Sequence, residues 1–257
     1  MKRLIYILIL VIILASFAQP LAWAEGEIQF TDEEEAFIDS HPTIWMGVDV
    51  GFIPYEFVDI DGEYKGMAAD YLALIQEKID IKFEIYDSSL DWPTTYNQTI
   101  QEGQTNIDML PCIGINSQRQ EIFDYSEPYI YYQRAIFSNK DDENFYTIDN
   151  ISEKIVGAQI KSSHDGFLTD NNIDFVRFAS LEGGLLALSE GKIDVFVGNL
   201  ETTSYLISRM NITNIEIDEK MAGKPLAFAV LKSRNYQLLI SVMNKAIASI
   251  TEEEKIN

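Results

Sequence analysis

Residues 189–199, SEGKIDVFVGN, end a predicted helix on a glycine and open a predicted buried strand with Ile-Asp. Residues 101–113, QEGQTNIDMLPCI, show the same order earlier in the chain. A glycine at such a position supplies the left-handed conformation that closes a helix. A helix that leads through a short turn into a strand is typical of an α/β unit, so the recurrence predicts two related units.

Apolar periodicity gives both halves of the chain the order strand, helix, strand, helix, strand. In the first half these elements are Ile44–Val50, Met67–Lys78, Lys82–Tyr86, Asp91–Glu102 and Ile107–Ile113. In the second half they are Lys154–Ile160, a short helix after Ser162, Asp174–Phe178, Leu181–Glu190 and Ile193–Asn199. The pattern predicts an α/β protein of two lobes, each a mostly parallel sheet flanked by helices. Ligands bind beyond the carboxyl ends of such strands, so we expect a ligand cleft between the lobes.

The chain begins with the features of a secretory signal peptide. Lys2 and Arg3 precede the apolar run 4–18, and Ala22-Trp23-Ala24 offers small residues to a signal peptidase. An uncleaved membrane anchor is the alternative, but the apolar run is shorter than the roughly 20 residues that span a bilayer. We therefore predict export to the periplasm or another extracytoplasmic space. The predicted organisation is a signal peptide at 1–24, lobe 1 at 25–131, lobe 2 at 132–224 and a return segment to lobe 1 at 225–257.

The composition excludes several classes of protein. A formal charge of −22 over 257 residues disfavours nucleic acid as a partner. A hydrophobic fraction of 47% is enough for packed cores. Cys112 is the single cysteine, so no intramolecular disulfide is expected. The sequence shows no phosphate-binding loop, no nucleophile elbow and no paired His or Cys at metal spacing, so we predict no cofactor and no metal.

Four segments that follow predicted strands should meet in the cleft. Their candidate ligand-binding residues are Asp49, Phe52, Tyr55, Cys112, Gly114, Arg119, Ser162, Ser163, His164 and Asn199. Aromatic faces, one cation, hydroxyls and an amide suit a small ligand with a carboxylate, which an arginine can bind through two hydrogen bonds. Two other interpretations stay open at this point. Arg119 could form a surface salt bridge with Glu121 or Asp124, and Phe52 could belong to the core.

In these residues the sequence resembles the bacterial extracellular solute-binding proteins of family 3, and within them the sensing domains of bacterial sensor kinases. The resemblance extends from about Phe30 to the end of the chain. It rests on the order and spacing of several short motifs. These are Phe30–Glu34, His41-Pro42, Gly47–Asp49, Pro54–Phe57, Gly62–Met67, Asp70-Tyr71, Arg119, Ser126–Tyr129 and Gly191–Asp194.

The resemblance implies a type 2 periplasmic-binding fold that closes on its ligand. It implies that Arg119 binds the α-carboxylate of an amino acid and that Phe52 stacks on the ligand. Ser162 and Ser163 match the hydroxyl-bearing helix start of lobe 2, and Cys112 and Gly114 match strand-end positions that are often Ser or Thr. Asn199 departs from the pattern, because amino-acid binders carry an acid there to pair with the ammonium group.

We therefore predict non-catalytic binding of a small solute with a carboxylate, an amino acid or a related organic acid, by hinged closure of the lobes. The expected partners are the small-molecule ligand and a membrane permease or sensor-kinase component, and the chain itself is expected to be a monomer. The alternative is an enzyme on the same fold that resembles dehydratases of cyclic acids. Such an enzyme needs a cleft acid or base with a shifted pKa, for which Glu56, Asp49 and His164 are the candidates.

Overall fold

The computed structural model describes residues 28–101 and 106–256. The predicted signal peptide and Gly103 lie outside these residues. The first part of the chain forms α1 (Asp32–Ser40), β1 (Thr43–Met46), β2 (Gly51–Phe52), β3 (Glu56–Val58), β4 (Tyr64–Lys65), α2 (Met67–Gln76), β5 (Lys82–Ile85), α3 (Trp92–Ile100), β6 (Leu110–Gly114), α4 (Ser117–Ile122), β7 (Phe123–Tyr125) and β8 (Ile130–Tyr132).

The second part begins with β9 (Arg134–Asn139) and contains the remaining elements. They are β10 (Val156–Gln159), α5 (Ser163–Asp170), β11 (Phe175–Phe178), α6 (Leu181–Ser189), β12 (Val195–Asn199), α7 (Leu200–Arg209), β13 (Ile215–Lys220), β14 (Lys224–Leu231), a 3₁₀ turn (Lys232–Arg234) and α8 (Gln237–Ser249). Each predicted strand and helix of the two repeats therefore has a counterpart. Gly191 after α6 has a φ of 69°, the left-handed closure that the sequence predicts.

Lobe 2 is built on one sheet of five strands in the order β11-β10-β12-β9-β13. β10 is parallel to β11 and β12, whereas β9 is antiparallel to β12 and β13. Apolar side chains are buried on both faces: Val195 and Val197 of β12 pack on one face, and Phe196 packs on the other. A strand that is covered on both sides reads as a continuous apolar run, which is the pattern of residues 195–197.

Lobe 1 is made of smaller sheets. β1 pairs in parallel with β5, and β2, β3 and β4 form an antiparallel sheet. β14 is antiparallel to β6, β7 and β8 and joins these strands into a third sheet. Among the described strands the seven antiparallel pairs outnumber the three parallel ones. Two antiparallel pairs join β2, β3 and β4, and the other five involve β9 and β14. Both are entered from the opposite lobe without a helical crossover, and parallel neighbours need such a crossover.

Several strands are shorter than the sequence predicts. β1 ends at Met46 rather than Val50, and β6 begins at Leu110 rather than Ile107. Beyond Met46, Gly47 is packed against other chain segments, where an added Cβ would lie 2.9 Å from Thr95. Residues 47–50 lie in a loop, which brings Asp49 to the edge of the cleft.

The two lobes are joined at two crossings, between β8 and β9 and between β13 and β14. The strands on either side of each crossing belong to different sheets. The lobe boundaries at 131/132 and 224/225 stay predictions. α8 packs on α1 and α2 of lobe 1, and its Leu239, Val242 and Met243 belong to the lobe 1 core. None of the helices in the described ranges is long and apolar enough to cross a bilayer.

Candidate functional site

A cavity of about 50 Å³ lies in the cleft between the lobes. By this measure a single water needs roughly 10–15 Å³, so the cavity has room for only a few water-sized atoms in this conformation. Except for Tyr55, the predicted site residues line it. Its lining residues are Asp49, Phe52, Trp92, Cys112, Ile113, Gly114, Arg119, Gln159, Ser162, Ser163, His164, Leu181, Asn199 and Leu226.

Asp49 provides a carboxylate on the lobe 1 wall. It lies in the loop before β2, where its Oδ1 accepts a hydrogen bond from the Gly51 N–H at 3.1 Å. Burial raises the pKa of Asp49 to about 6, and the negative charges of Glu182 and Asp91 act in the same direction. Asp49 is therefore poised to lose or gain its proton close to neutral pH, at the surface of the cavity.

Glu56 lies behind Asp49 and does not line the cavity. It is fully buried, and its two carboxyl oxygens accept hydrogen bonds from the Asp49 N–H at 3.0 Å and the Tyr64 Oη at 2.9 Å. Burial raises the pKa of Glu56 well above its usual value. Glu56 thus fixes the loop that carries Asp49. Burial also raises the pKa of the neighbouring Cys112 thiol, so Cys112 offers the cavity a neutral side chain.

Arg119 provides the cation of lobe 1. Asn116 caps α4 by accepting a hydrogen bond from the Arg119 N–H, which places the arginine in the first turn. Its guanidinium donates to the carbonyl oxygens of Gly114 at 2.8 Å and Lys161 at 2.5 Å. The side chain is only 4% exposed, and no described carboxylate forms an ion pair with it. The surface salt bridge with Glu121 or Asp124 is therefore not the role of Arg119.

The hydroxyls of lobe 2 are already engaged. Ser162 is the N-cap of α5: its Oγ accepts hydrogen bonds from the His164 and Asp165 N–H groups and donates to the Gln159 carbonyl. Ser163 Oγ lies 2.5 Å from Tyr132 Oη. Both serines line the cavity, but their hydroxyls also hold the start of the helix in place.

His164 is buried beside a second buried arginine, Arg134 at the start of β9. Nε of Arg134 donates to Nδ1 of His164 at 3.0 Å, which requires a histidine that is unprotonated at Nδ1. Burial lowers the pKa of His164 well below its usual value, and the charges of Arg134 and Arg119 lower it further. His164 is thus neutral, and the two arginines give this end of the cavity a positive charge.

Asn199 ends β12 and caps α7. Its Oδ1 accepts a hydrogen bond from the Thr202 N–H at 3.0 Å, whereas its buried Nδ2 has no partner at hydrogen-bond distance among the described residues. Nδ2 is nevertheless close enough to the Tyr55 phenol to lower its pKa, against the larger upward effect of burial. Asn199 therefore presents a free donor in a fixed position.

Tyr55 and Phe52 form the aromatic part of lobe 1, with ring centroids 4.8 Å apart. Phe52 is half-buried and lines the cavity, so it does not belong wholly to the core. Tyr55 contacts lobe 2 instead of the cavity, because its Oη donates to Glu201 Oε2 at 2.8 Å. Thr202 Oγ1 donates across the same gap to the Ile53 carbonyl at 2.6 Å. The lobes are thus in direct contact.

Several residues in and around the cavity are not among the site residues predicted from the sequence. Trp92 lines it and donates from Nε1 to the Lys161 carbonyl at 3.1 Å, which adds another contact between the lobes. Gln159 is the last residue of β10, Leu181 is the first residue of α6, and Leu226 comes from β14. The position of Trp92 directly after the N-cap Asp91 was a usable signal, since the first turn of that helix faces the cleft.

A sequence profile of the bacterial extracellular solute-binding proteins, family 3, matches residues 44–257. The match covers most of the chain and both halves of the cleft. The chain belongs to this family. The family is one of extracellular solute-binding proteins, which places the chain outside the cytoplasm.

Named relatives of the family 3 chain include both sensors and binding proteins. The virulence sensor protein BvgS of Bordetella pertussis is 22% identical over 228 residues, which cover 88% of this chain and 18% of that protein. The chain thus spans less than a fifth of this sensor. The probable amino-acid-binding protein YxeM of Bacillus subtilis is 24% identical over 205 residues, which cover 75% of this chain and 73% of that protein.

Solved structures have the same fold. The periplasmic VFT2 domain of Bordetella pertussis BvgS superposes with a TM-score of 0.75 at 22% identity, covering 88% of this chain and 96% of that one. Holo ArgBP from T. maritima superposes with a TM-score of 0.67 at 21% identity, covering 86% and 96%. The two-lobed periplasmic-binding fold predicted from the sequence is confirmed.

Proposed function

We propose that the cleft, opened wider than in this conformation, binds a small solute with a carboxylate, an amino acid or a related organic acid, and that Arg119 binds this carboxylate. A partner protein detects the closure of the lobes around the solute. Membership of family 3 supports solute binding. The chemical class of the solute is inferred here from the charges of the cavity.

The buried and unpaired charge of Arg119 carries the proposal. A buried cation without a counter-ion is costly, and a ligand carboxylate that pairs with it removes this cost. Only two of the guanidinium N–H groups are engaged by carbonyl oxygens, so the remaining ones are free for a carboxylate. Arg134 adds a second positive charge behind His164, which strengthens the preference for an anionic group.

Asp49 supports an amino acid over a simple organic acid. It provides a carboxylate on the wall of the cavity, while Asn199 provides only an amide donor. An ammonium group of the ligand would pair with Asp49 on lobe 1, which would replace the acid that Asn199 lacks on lobe 2. A pKa of about 6 leaves Asp49 mostly ionised at neutral pH, and an ammonium partner would lower that pKa.

We propose that the chain performs no chemistry on its solute. The pKa of Asp49 would also suit a general base, which is the feature that the dehydratase-like alternative requires. The other two candidates do not complete such a site, because Glu56 is shielded from the cavity and His164 accepts a hydrogen bond from Arg134. Incubation of candidate acids with the protein, followed by product analysis, separates the two functions: any turnover would favour the enzyme.

We propose that the partner that detects the closed form is a sensor-kinase component or a membrane permease. BvgS is named as a sensor, and the Escherichia coli relative, 22% identical over 161 residues, is named as a putative ABC transporter arginine-binding protein. Co-purification of tagged protein from its native host tests this proposal. Recovery of a kinase indicates sensing, and recovery of a permease indicates import.

The ligand class is tested by a thermal-shift screen of amino acids, organic acids and small amines. A ligand at 100 times its Kd stabilises the folded protein by about 2.7 kcal/mol, which raises the melting temperature measurably. Calorimetry on Asn199→Asp then separates the two acid classes. The new carboxylate should strengthen binding of an amino acid by pairing with its ammonium, and should weaken binding of a simple organic acid by repulsion. Stabilisation by amines alone would contradict the proposal.

A further inference from the structure

A second groove of about 300 Å³ lies beside the cavity and shares Arg119 and Ser162 with it. Both lobes form the groove. Lobe 1 contributes polar and aromatic side chains, and lobe 2 contributes charged ones. The principal residues are Tyr96, Asn116 and Gln118 on the first side and Lys161, Asp165 and Arg177 on the second.

The groove carries a local excess of positive charge. Lys161, Arg177 and Arg119 line it, whereas Asp165 is the single acidic residue in its wall. Arg177 donates two hydrogen bonds to Asp165, both at 3.1 Å, so one cation is balanced. Two positive charges are left without an acidic partner in the wall of this groove. The excess is conspicuous in a protein whose formal charge is −22, because a random surface patch would be acidic.

The backbone of Lys161 is held in place at the wall of the groove. Lys161 has a φ of 61°, a left-handed conformation that is uncommon for residues other than glycine. Three partners hold it there: its carbonyl accepts from Arg119 and Trp92, and its N–H donates to Asp165 Oδ2. Its Nζ lies 5.9 Å from the centroid of the Tyr96 ring and forms no ion pair among the described residues.

We propose that this groove is a second binding site, which takes a small oxyanion with two or more negative charges, such as inorganic phosphate. The ammonium of Lys161 and the guanidinium of Arg177 bind its oxygens from lobe 2. The amide side chains of Asn116 and Gln118 offer further donors from lobe 1. The site is separate from the solute position, although it shares Arg119 and Ser162 with the cavity, and it requires no carboxylate ligand in the cavity.

An anion in this groove would contact both lobes and would therefore favour the closed conformation. Whatever binds the closed form more tightly than the open form shifts the equilibrium toward closure. By linkage, the anion and the cavity solute would strengthen each other's binding. The groove would thus give the chain a second input besides its solute.

The experiment uses inorganic phosphate as the probe, titrated into the purified protein by calorimetry at constant ionic strength with sodium chloride as the matched control. We expect saturable binding of phosphate and none of chloride. Arg177→Gln and Lys161→Asn should each weaken phosphate binding about tenfold or more, because each removes one charge-assisted contact. Asparagine tolerates the left-handed conformation at position 161, so the fold should persist. Lys192→Gln, which alters an exposed lysine paired with Glu190, should have no effect.

Two results would overturn the assignment. The first is the absence of saturable phosphate binding to the unaltered protein, or equal binding by Arg177→Gln, Lys161→Asn and the control. The second result concerns Asp49→Asn, which removes a negative charge from the cavity and should leave phosphate binding in the groove unchanged. If this substitution strengthens phosphate binding severalfold while the groove variants bind normally, phosphate occupies the cavity instead.

Discussion

The two walls of the cleft contain similar polar residues but use them differently. On lobe 1, Asp49 carries a carboxylate with a pKa of about 6, and Arg119 carries a cation without a counter-ion. On lobe 2, Ser162 and Asn199 each cap a helix. Lobe 1 therefore provides charge for a ligand, whereas the polar side chains of lobe 2 mainly hold its own helices.

The difference follows from the position of each side chain relative to the N-cap of its helix, since Ser162 and Asn199 are N-caps and Arg119 is not. On lobe 2 the strand β12 ends at Asn199 and α7 begins at the next residue, so the last strand residue must be the N-cap. On lobe 1 the chain makes a loop after β1, and Arg119 lies beyond the N-cap Asn116. Side chains that are not needed as caps are free to face the ligand.

The largest expected effect tests the charge of lobe 1. Arg119→Ala should weaken binding of a carboxylate ligand by about 2–5 kcal/mol, or roughly 30-fold to several-thousand-fold, because it removes the buried charge partner. Arg119→Lys should restore little, since an ammonium cannot reproduce the planar pair of donors. Arg209→Ala, at an exposed position on α7, is the control. Calorimetry measures the affinity of all three variants. An unchanged affinity in Arg119→Ala would show that lobe 1 does not bind the ligand through this charge.

The next effect concerns Asp49 and pH. Because burial raises its pKa in the folded protein from 3.8 to about 6, the ligand-free protein should lose stability as the pH rises from about 4 to 7. Asp49→Asn should reduce this dependence and stabilise the ligand-free protein at pH 7 by about 1–3 kcal/mol. Urea unfolding at several pH values measures this. Identical pH profiles for the two proteins would show that Asp49 is not desolvated.

The same group predicts how ligand affinity depends on pH. If Asp49 pairs with an ammonium group, the affinity should rise between pH 5 and pH 7 as the carboxylate ionises, and Asp49→Asn should abolish the rise. A ligand without a cation should show the opposite slope, because ionised Asp49 repels it. Calorimetric titrations at three pH values distinguish the two slopes.

A smaller effect is expected on lobe 2. Ser162→Ala should cost about 1 kcal/mol of stability, because α5 loses its N-cap. Ligand affinity should change by less than stability does, since the hydroxyl already serves two backbone N–H groups and one carbonyl. Chemical unfolding and calorimetry on the same preparation provide both values. A larger loss of affinity than of stability would mean that lobe 2 also binds the ligand through its caps.

The smallest effect concerns the contact between the walls. Tyr55→Phe removes the hydrogen bond to Glu201 and should favour the open form by about 0.5 kcal/mol, because water replaces the bond when the lobes separate. Solution scattering should show a slightly larger radius of gyration for the ligand-free variant, and a saturating ligand should reverse it. Equal scattering curves would mean that other contacts, such as that of Thr202 with the Ile53 carbonyl, dominate closure.

The fold was predictable because helix and strand periods alternate regularly, and the repeat of glycine followed by Ile-Asp marks both halves. Arg119 and Asp49 were predictable because they follow strands at the edge where ligands bind. Arg134 was not, because a charged residue at the start of an apolar strand gives no sign of which side chain it will meet. A helix that starts after Ser162 was predictable from the sequence. Whether all hydrogen bonds of the Ser162 hydroxyl go to the backbone around this helix start depends on three-dimensional geometry.

The central position of β14 in lobe 1 has a consequence for how the chain acquires its structure. Lobe 2 is contiguous, with its five strands between residues 134 and 220. In lobe 1, β6, β7 and β8 can pair with their shared neighbour β14 only after residues 224–231 have been synthesised. During synthesis the second lobe can therefore mature first, while the earlier-made segment keeps unpaired strand edges that are prone to association. A folding factor that shields lobe 1 would be needed mainly in the interval between the synthesis of β8 and that of β14.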